Sequence, residues 1–304
     1  MIGFKTNLYN LKQMKKPLKL MLVLAVVANI FIACGDNAPE TKTFPRIVLV
    51  EEFTGVTCGA CPLGARTIEA AVKDLEDRVV VVCHHTGFAD DQFTIADSRP
   101  LTYYYNGSDF APACMTDRYM VIEDNKNASG TKPSPVFLPY EPTNGISKEL
   151  ILKEINRPAY VSVNLTTNYN ASTRKLDIDV SGEFLKEYPF AKLNVYLVQN
   201  GIVDVQSDTE MQDVNPNYTH NHVIRHSFTG AWGDIIPFTV GKYSKSYSWV
   251  IPDVIAGVLG TDVPAVPKDM YVVAFVADDV KNNKTEINIE NGQIHNAAFK
   301  YITK

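Results

Sequence analysis

The sequence has no glycine-rich phosphate loop, no serine-nucleophile motif and no paired acid motif, so nothing in it points to nucleotide chemistry or hydrolysis. It also lacks an excess of positive charge: 29 Lys and Arg stand against 34 Asp and Glu, a net charge of −5. That balance argues against a nucleic-acid partner. Low-complexity tracts are absent, and at 45% hydrophobic residues a chain of 304 can bury the cores of two ordinary domains. The uncharged stretch Leu20 to Ala33 is only fourteen residues long, too short to span a bilayer. Cysteine is scarce, five in all, and only one pair has the spacing Cys-x-x-Cys.

The fourteen-residue stretch follows Lys15, Lys16 and Lys19, as the core of an export signal does. It ends Phe-Ile-Ala-Cys, with small Ala33 before Cys34, and resembles the lipobox at which bacterial lipoprotein signals are cut and the cysteine acylated. The segment from Met14 to Cys34 reads as a complete signal, which predicts translation from Met14. Removing residues 1–33 leaves 24 basic against 34 acidic residues, a net charge of −10 on 271 residues. The expected mature protein is therefore acidic, exported and tethered to a membrane through Cys34, with residues 34–43 as the tether.

From residue 44 to 157 strand-like and helical patterns alternate. "RIVLVEEF" (Arg46 to Phe53) and "RVVVVCHH" (Arg78 to His85) are apolar on consecutive positions, as in strands covered on both faces. Between them Ile68, Ala71, Val72 and Leu75 fall on one helical stripe. A second helix is predicted at "SKELILKEI", with Ser147 as N-cap and Leu150, Ile151 and Ile155 on one face. After the linker "NRPA" the period becomes two: Val161, Val163 and Leu165, then Leu176, Ile178 and Val180, alternate with polar residues. Further strands are expected at "LNVYLV", "HVIRHSF", "SYSWVI", "MYVVAFVA" and "TEINIE". Residues 158–304 thus predict an all-β sandwich of immunoglobulin type.

The chemistry centres on Cys58-Gly59-Ala60-Cys61 at a strand-to-helix junction, where unpaired N–H groups and the helix dipole stabilise a thiolate. Cys58 is the expected attacking thiol, left open by Gly59 and Ala60, and Cys61 the resolving one. Strand, Cys-x-x-Cys, helix, strand and then a proline before another strand is the order of the thioredoxin-like fold, which the segment resembles. The resemblance assigns Pro112, with Ala111 before it, to the loop that offers backbone hydrogen bonds to an extended substrate. His85, at the end of its strand, is expected to shuttle protons or hold a loop.

Taken with "HTG" (His85 to Gly87), "APACMTDR" and "YTHNHVIR", the motif makes the chain from about Phe44 to Lys304 resemble the twenty-eight-kilodalton outer-membrane-protein-related lipoproteins. That resemblance implies a thioredoxin-like α/β domain followed by a β-sandwich, on a lipid anchor in the outer membrane, facing periplasm or surface.

Three functions fit these residues. The first is thiol-disulfide exchange with cysteine-containing exported proteins or a redox donor protein, which needs no cofactor. In the second, Cys58–Cys61 is a permanent staple in a surface binding or adhesion protein. The third is a zinc site drawn from Cys58, Cys61, Cys83 and His84 or His85. Cys83 and Cys114 are either core thiols or a second disulfide. His220 and His222, at i and i+2 in an extended segment, are expected on one side with His226 nearby, as metal ligands or as partners of backbone, and Arg225 is expected to meet a carboxylate. Tyr103, Tyr104 and Tyr105 are read as packing between a helical insertion and the sheet.

Overall fold

The computed structural model describes residues 42–303 other than 88, 106, 108, 109, 127–129, 131, 132, 238 and 281–291. The signal, Met14, Cys34 and the strand expected at "TEINIE" lie outside the described residues. The two apolar runs form β1 (Val48–Thr54) and β2 (Val79–His85), parallel neighbours buried along their whole length. Between them α1 (Cys61–Val72) lays Ile68 and Ala71 on the sheet, joined by Val72 and Leu75 as predicted. A short α2 (Ser98–Tyr105) buries Tyr104 and Tyr105 and leaves Tyr103 exposed. β3 (Ala113–Thr116) runs antiparallel on the other side of β1, and α3 (Lys148–Ile155) begins at Ser147, whose hydroxyl accepts the Leu150 N–H.

The rest is β structure: β4 (Asn164–Asn170), β5 (Lys175–Phe184), β6 (Ala191–Gln199), β7 (Ile202–Asp208), β8 (Asp213–His220), β9 (Val223–Ser227), β10 (Asp234–Ile235), β11 (Gly241–Val250), β12 (Val254–Ala256), β13 (Asp262–Pro264), β14 (Met270–Asp278) and β15 (Ile294–Tyr301). The described residues are mostly β. One sheet runs β15-β14-β6-β9-β2-β1-β3, with β10 beside β6, and a second runs β11-β5-β4. The alternating Leu176, Ile178 and Val180 of β5 pack on Leu193, Val195, Leu197, Val272 and Ala274 of the first sheet, the packing that period-two patterning demands.

The large sheet crosses the change of pattern at residue 157. β2 and β9 meet in parallel at Cys83 and Val223, and Leu49, Val80 and Val82 share a core with Tyr196, Val273 and Phe275. The sheet bends so that β15 reaches back to β1: the Ile47 N–H donates to Asn296, and Arg46 donates to the carbonyls of Ile294 and His295. Lys42 to Lys304 cluster as one compact unit.

A buried ion network reinforces the seam. Arg118 donates twice to Glu51, at 2.7 Å each, and its guanidinium lies 5.1 Å from the Phe275 ring centre. Arg46 pairs with Asp117, whose other oxygen accepts the Leu49 N–H at 2.9 Å. Asp117 and Arg118 both have positive φ, 51° and 52°. This conformation is unfavourable for ordinary side chains, and here it aims two charges into the core.

Candidate functional site

The site forms where β1 ends and α1 begins. Cys58 and Cys61 are joined by a disulfide, and Cys61 is the first residue of the helix. No side chain caps that helix at Ala60, and Pro62 occupies its first turn, where a missing N–H costs nothing. The Ala111–Pro112 peptide is cis. The Pro112 ring rests against Gly64, where a Cβ would stand only 2.6 Å from it. A glycine one turn into the helix is therefore what lets Pro112 pack directly on the helix that Cys61 begins.

Behind the disulfide lies a cavity of about 40 Å³, lined by Cys61, Glu52, Cys83, His85, Tyr218 and His220 among others. Glu52 is buried. One carboxyl oxygen accepts the Cys83 thiol at 3.2 Å and the other has no hydrogen-bond partner among the described residues. Burial pushes its carboxyl up to about 7. Burial also drives the Cys83 and Cys114 thiols well up, with the Glu52 charge adding to both. Glu52 pairs across the sheet with Cys83 on one side and Cys114 on the other. The two thiols therefore sit two strand spacings apart, roughly 10 Å, beyond disulfide reach. Both are free, which corrects the idea of a second disulfide.

His85 lines the cavity and bonds through Nδ1 to Asp91 at 2.8 Å. The same carboxylate oxygen accepts the Val56 N–H at 3.0 Å, so the pair holds the loop leading to Cys58. Asp91 is held below the usual carboxylate range because His85 and two backbone N–H groups outweigh the effect of burial.

Cys58 is not sterically open. It is 4% exposed and Cys61 2%, because the β7–β8 hairpin lies over them. Ser207 donates its N–H to the Val56 carbonyl at 2.8 Å and Thr209 to the Gly59 carbonyl at 2.9 Å. The Gln206 amide reaches the carbonyls of Gly55 and Cys58 at 3.2 and 2.9 Å. Gly59 admits the hairpin: a Cβ there would be 2.7 Å from the Thr209 methyl.

Glu52, Asp91 and Gln206 were not singled out in the sequence. The signal for the first is visible in "LVEEF": two adjacent acids in an otherwise apolar, doubly buried strand must face opposite ways, each toward a partner.

The histidines of β8 and β9 do not share a side. His220 ends β8 facing His85, with ring centres 5.5 Å apart. His222 turns at positive φ and bonds to the Tyr271 hydroxyl, and His226 stacks on Trp249. Burial lowers His220 and His222 to about 4, with His85 contributing at His220, so both are neutral at pH 7. Among the described residues Arg225 meets no carboxylate. It donates to Gln199 and to the carbonyls of Ile255, Val263 and Pro264. Among the described residues no group of three or more His, Cys, Asp or Glu is arranged to hold a metal ion.

Comparison with known proteins places this geometry in context. The family described as "Outer membrane protein Omp28" matches residues 112–297. No curated protein matches. Among solved structures, HBP35 of Porphyromonas gingivalis is similar over 86% of this chain and 77% of its own, at 19% identity and a TM-score of 0.57. A domain of the outer membrane lipoprotein Omp28 from the same organism covers 47% of this chain and 88% of its own, at 20% identity and a TM-score of 0.30. A protein of Agrobacterium tumefaciens covers 86% and 97%, at 13% identity and a TM-score of 0.44. At such identity the first of these speaks for the fold alone.

Proposed function

The chain belongs to the Omp28 family of outer membrane proteins, and from this premise we propose that it is a lipid-anchored thiol-disulfide exchange protein of the outer membrane. Residues 44–157 are read as a thioredoxin-like domain, followed by an immunoglobulin-like β-sandwich. Supporting the first assignment are the β1-α1-β2 unit, the antiparallel β3 and the packing of Pro112 against Gly64 of α1.

The observation that carries the reading is Glu52, a buried carboxyl with an unpaired oxygen in a cavity that Cys61 also lines. With its carboxyl at about 7 it holds or releases a proton near neutral pH. A substrate thiolate attacks Cys58 Sγ, a substrate–Cys58 bond forms, the Cys58–Cys61 bond breaks, and Cys61 leaves as a thiolate that takes the Glu52 proton. A second substrate thiolate then attacks the substrate sulfur and Cys58 leaves. The substrate dithiol becomes a disulfide and the protein a dithiol. The reverse sequence reduces a substrate disulfide. Cysteine-containing exported proteins, or a donor protein, are the proposed partners. Pro112 and Ala111 are the proposed substrate-binding backbone.

A second reading, a permanent staple in a binding or adhesion protein, is favoured by the burial of both sulfurs. The reduction potential in glutathione buffers, read by mass spectrometry of trapped thiols, decides. A value between about −120 and −270 mV supports exchange, and one below roughly −300 mV supports the staple. The anchor has its own test: Cys34→Ala should move the protein from the membrane to the soluble fraction, and retention at the membrane would refute acylation there.

A further inference from the structure

The tip of the β7–β8 hairpin, residues 206–209, is attached over the disulfide by hydrogen bonds, while Tyr218 and His220 of β8 line the cavity and His220 packs on Phe93. Apolar side chains of the hairpin point away: Val203, Val205, Met211 and Val214 are all exposed. Ile202 alone among its hydrophobic residues joins a buried cluster, at the base of the hairpin. Among the described residues the hairpin pairs with no third strand. Beyond the bonds from Gln206, Ser207 and Thr209, the hairpin is tied by a bond from Gln92 to Asp204 and by an exposed Arg66–Glu210 pair, and exposed pairs add little. A tip with few apolar contacts, fixed by bonds that water can replace, opens locally at small cost.

The donors in question have a pattern. Ser207, in β7, and Thr209, which opens the turn after it, are two residues apart, and their N–H groups meet the carbonyls of Val56 and Gly59 on either side of Cys58. Any extended polypeptide can present two N–H groups at that spacing. While the hairpin is in place, the cavity behind the disulfide holds little more than a water molecule. No polypeptide can reach Cys58 until residues 206–209 leave.

We propose that the carbonyl-lined groove over Cys58 and Cys61 is the docking site of an extended, cysteine-bearing polypeptide, and that residues 206–209 fill it in cis until that polypeptide displaces them. The proposal rests on the exchange reading. It adds a recognition mode, backbone donors to the motif loop, and a closed state.

Two measurements on the full chain test it. The first is the rate at which dithiothreitol reduces Cys58–Cys61. Gln206→Ala removes two ties to the loop and should speed reduction about tenfold while the thermal midpoint stays near that of the parent. An unchanged rate in the folded variant would overturn the closed state. The second is amide exchange, which in the unaltered protein needs no variant. Ser207 and Thr209 should exchange faster than Leu197 and Val273 of the central sheet, and exchange only through global unfolding would overturn a displaceable hairpin. In Cys61→Ser, a ten-residue peptide whose cysteine carries thionitrobenzoate is attacked by the Cys58 thiolate, which forms the peptide–Cys58 disulfide and releases thionitrobenzoate. Ser207 and Thr209 should then lose protection, and unchanged protection would refute docking in this groove. The equilibrium potential stays a separate readout: a value of a structural disulfide removes the exchange reading, whereas these rates and exchange patterns address the hairpin.

Discussion

Glu51 and Glu52 are neighbours in one strand and have opposite fates. Burial alone would raise the Glu51 carboxyl, but Arg118 and His84 outweigh it and hold the group at about 2. Its contribution to stability is present above about 4.5 and lost as pH falls toward 2. Removing the partner leaves a buried carboxylate alone, so Arg118→Met should cost about 3–5 kcal/mol at pH 7 in denaturant titrations. Glu52, with its carboxyl raised to about 7, favours the folded state below 4.5 and loses that advantage as pH rises through 7. Glu52→Gln should therefore stabilise the oxidised protein at pH 8, by on the order of 2 kcal/mol, and change little at pH 4. Melting curves at the two pH values check this. The need for two partners was legible in the doubled acid; which residues supply them was not. Arg118 lies 67 residues from Glu51 along the chain, and its aim depends on positive-φ backbone that composition does not reveal.

Elements with strong periodicity were the most readable. The stripe Ile68, Ala71, Val72 and Leu75 and the Ser147 cap correspond to α1 and α3, since each is fixed by contacts within a few residues. The contact of Gly64 with Pro112 was hidden because it joins residues far apart in sequence. Gly64→Ala should force the ring from the helix and cost roughly 1–3 kcal/mol, seen as a lower thermal midpoint in both redox states. The β7–β8 hairpin was the least legible element. Its hold on the motif loop uses backbone groups and one glutamine amide, and these leave no hydrophobic pattern for a sequence to display. Openness at Cys58, expected from Gly59 and Ala60, was lost for that reason: the glycine that clears space for a substrate equally clears it for Thr209.

At the scale of the whole molecule, the break in periodicity at residue 157 marks a real change from mixed to all-β patterning, yet the sheet runs across it. Leu49, Val80 and Val82 are covered by Tyr196, Val273 and Phe275. A fragment of residues 42–157 would expose that face, and it should aggregate or lack the dispersed amide spectrum of a folded protein, whereas 42–304 should melt in one transition. The family match reflects the same continuity, beginning at Pro112 and ending at residue 297. The shared seam bears on how such a protein can vary. The Cys83 N–H donates to the His222 carbonyl at 2.7 Å, so the strand beside Glu52 is bonded to the turn that follows the hairpin. Recombination between relatives at the linker, where a sequence alignment would most naturally be cut, would sever a sheet and a cover that fit each other. Only exchanges that carry both sides together keep the fit.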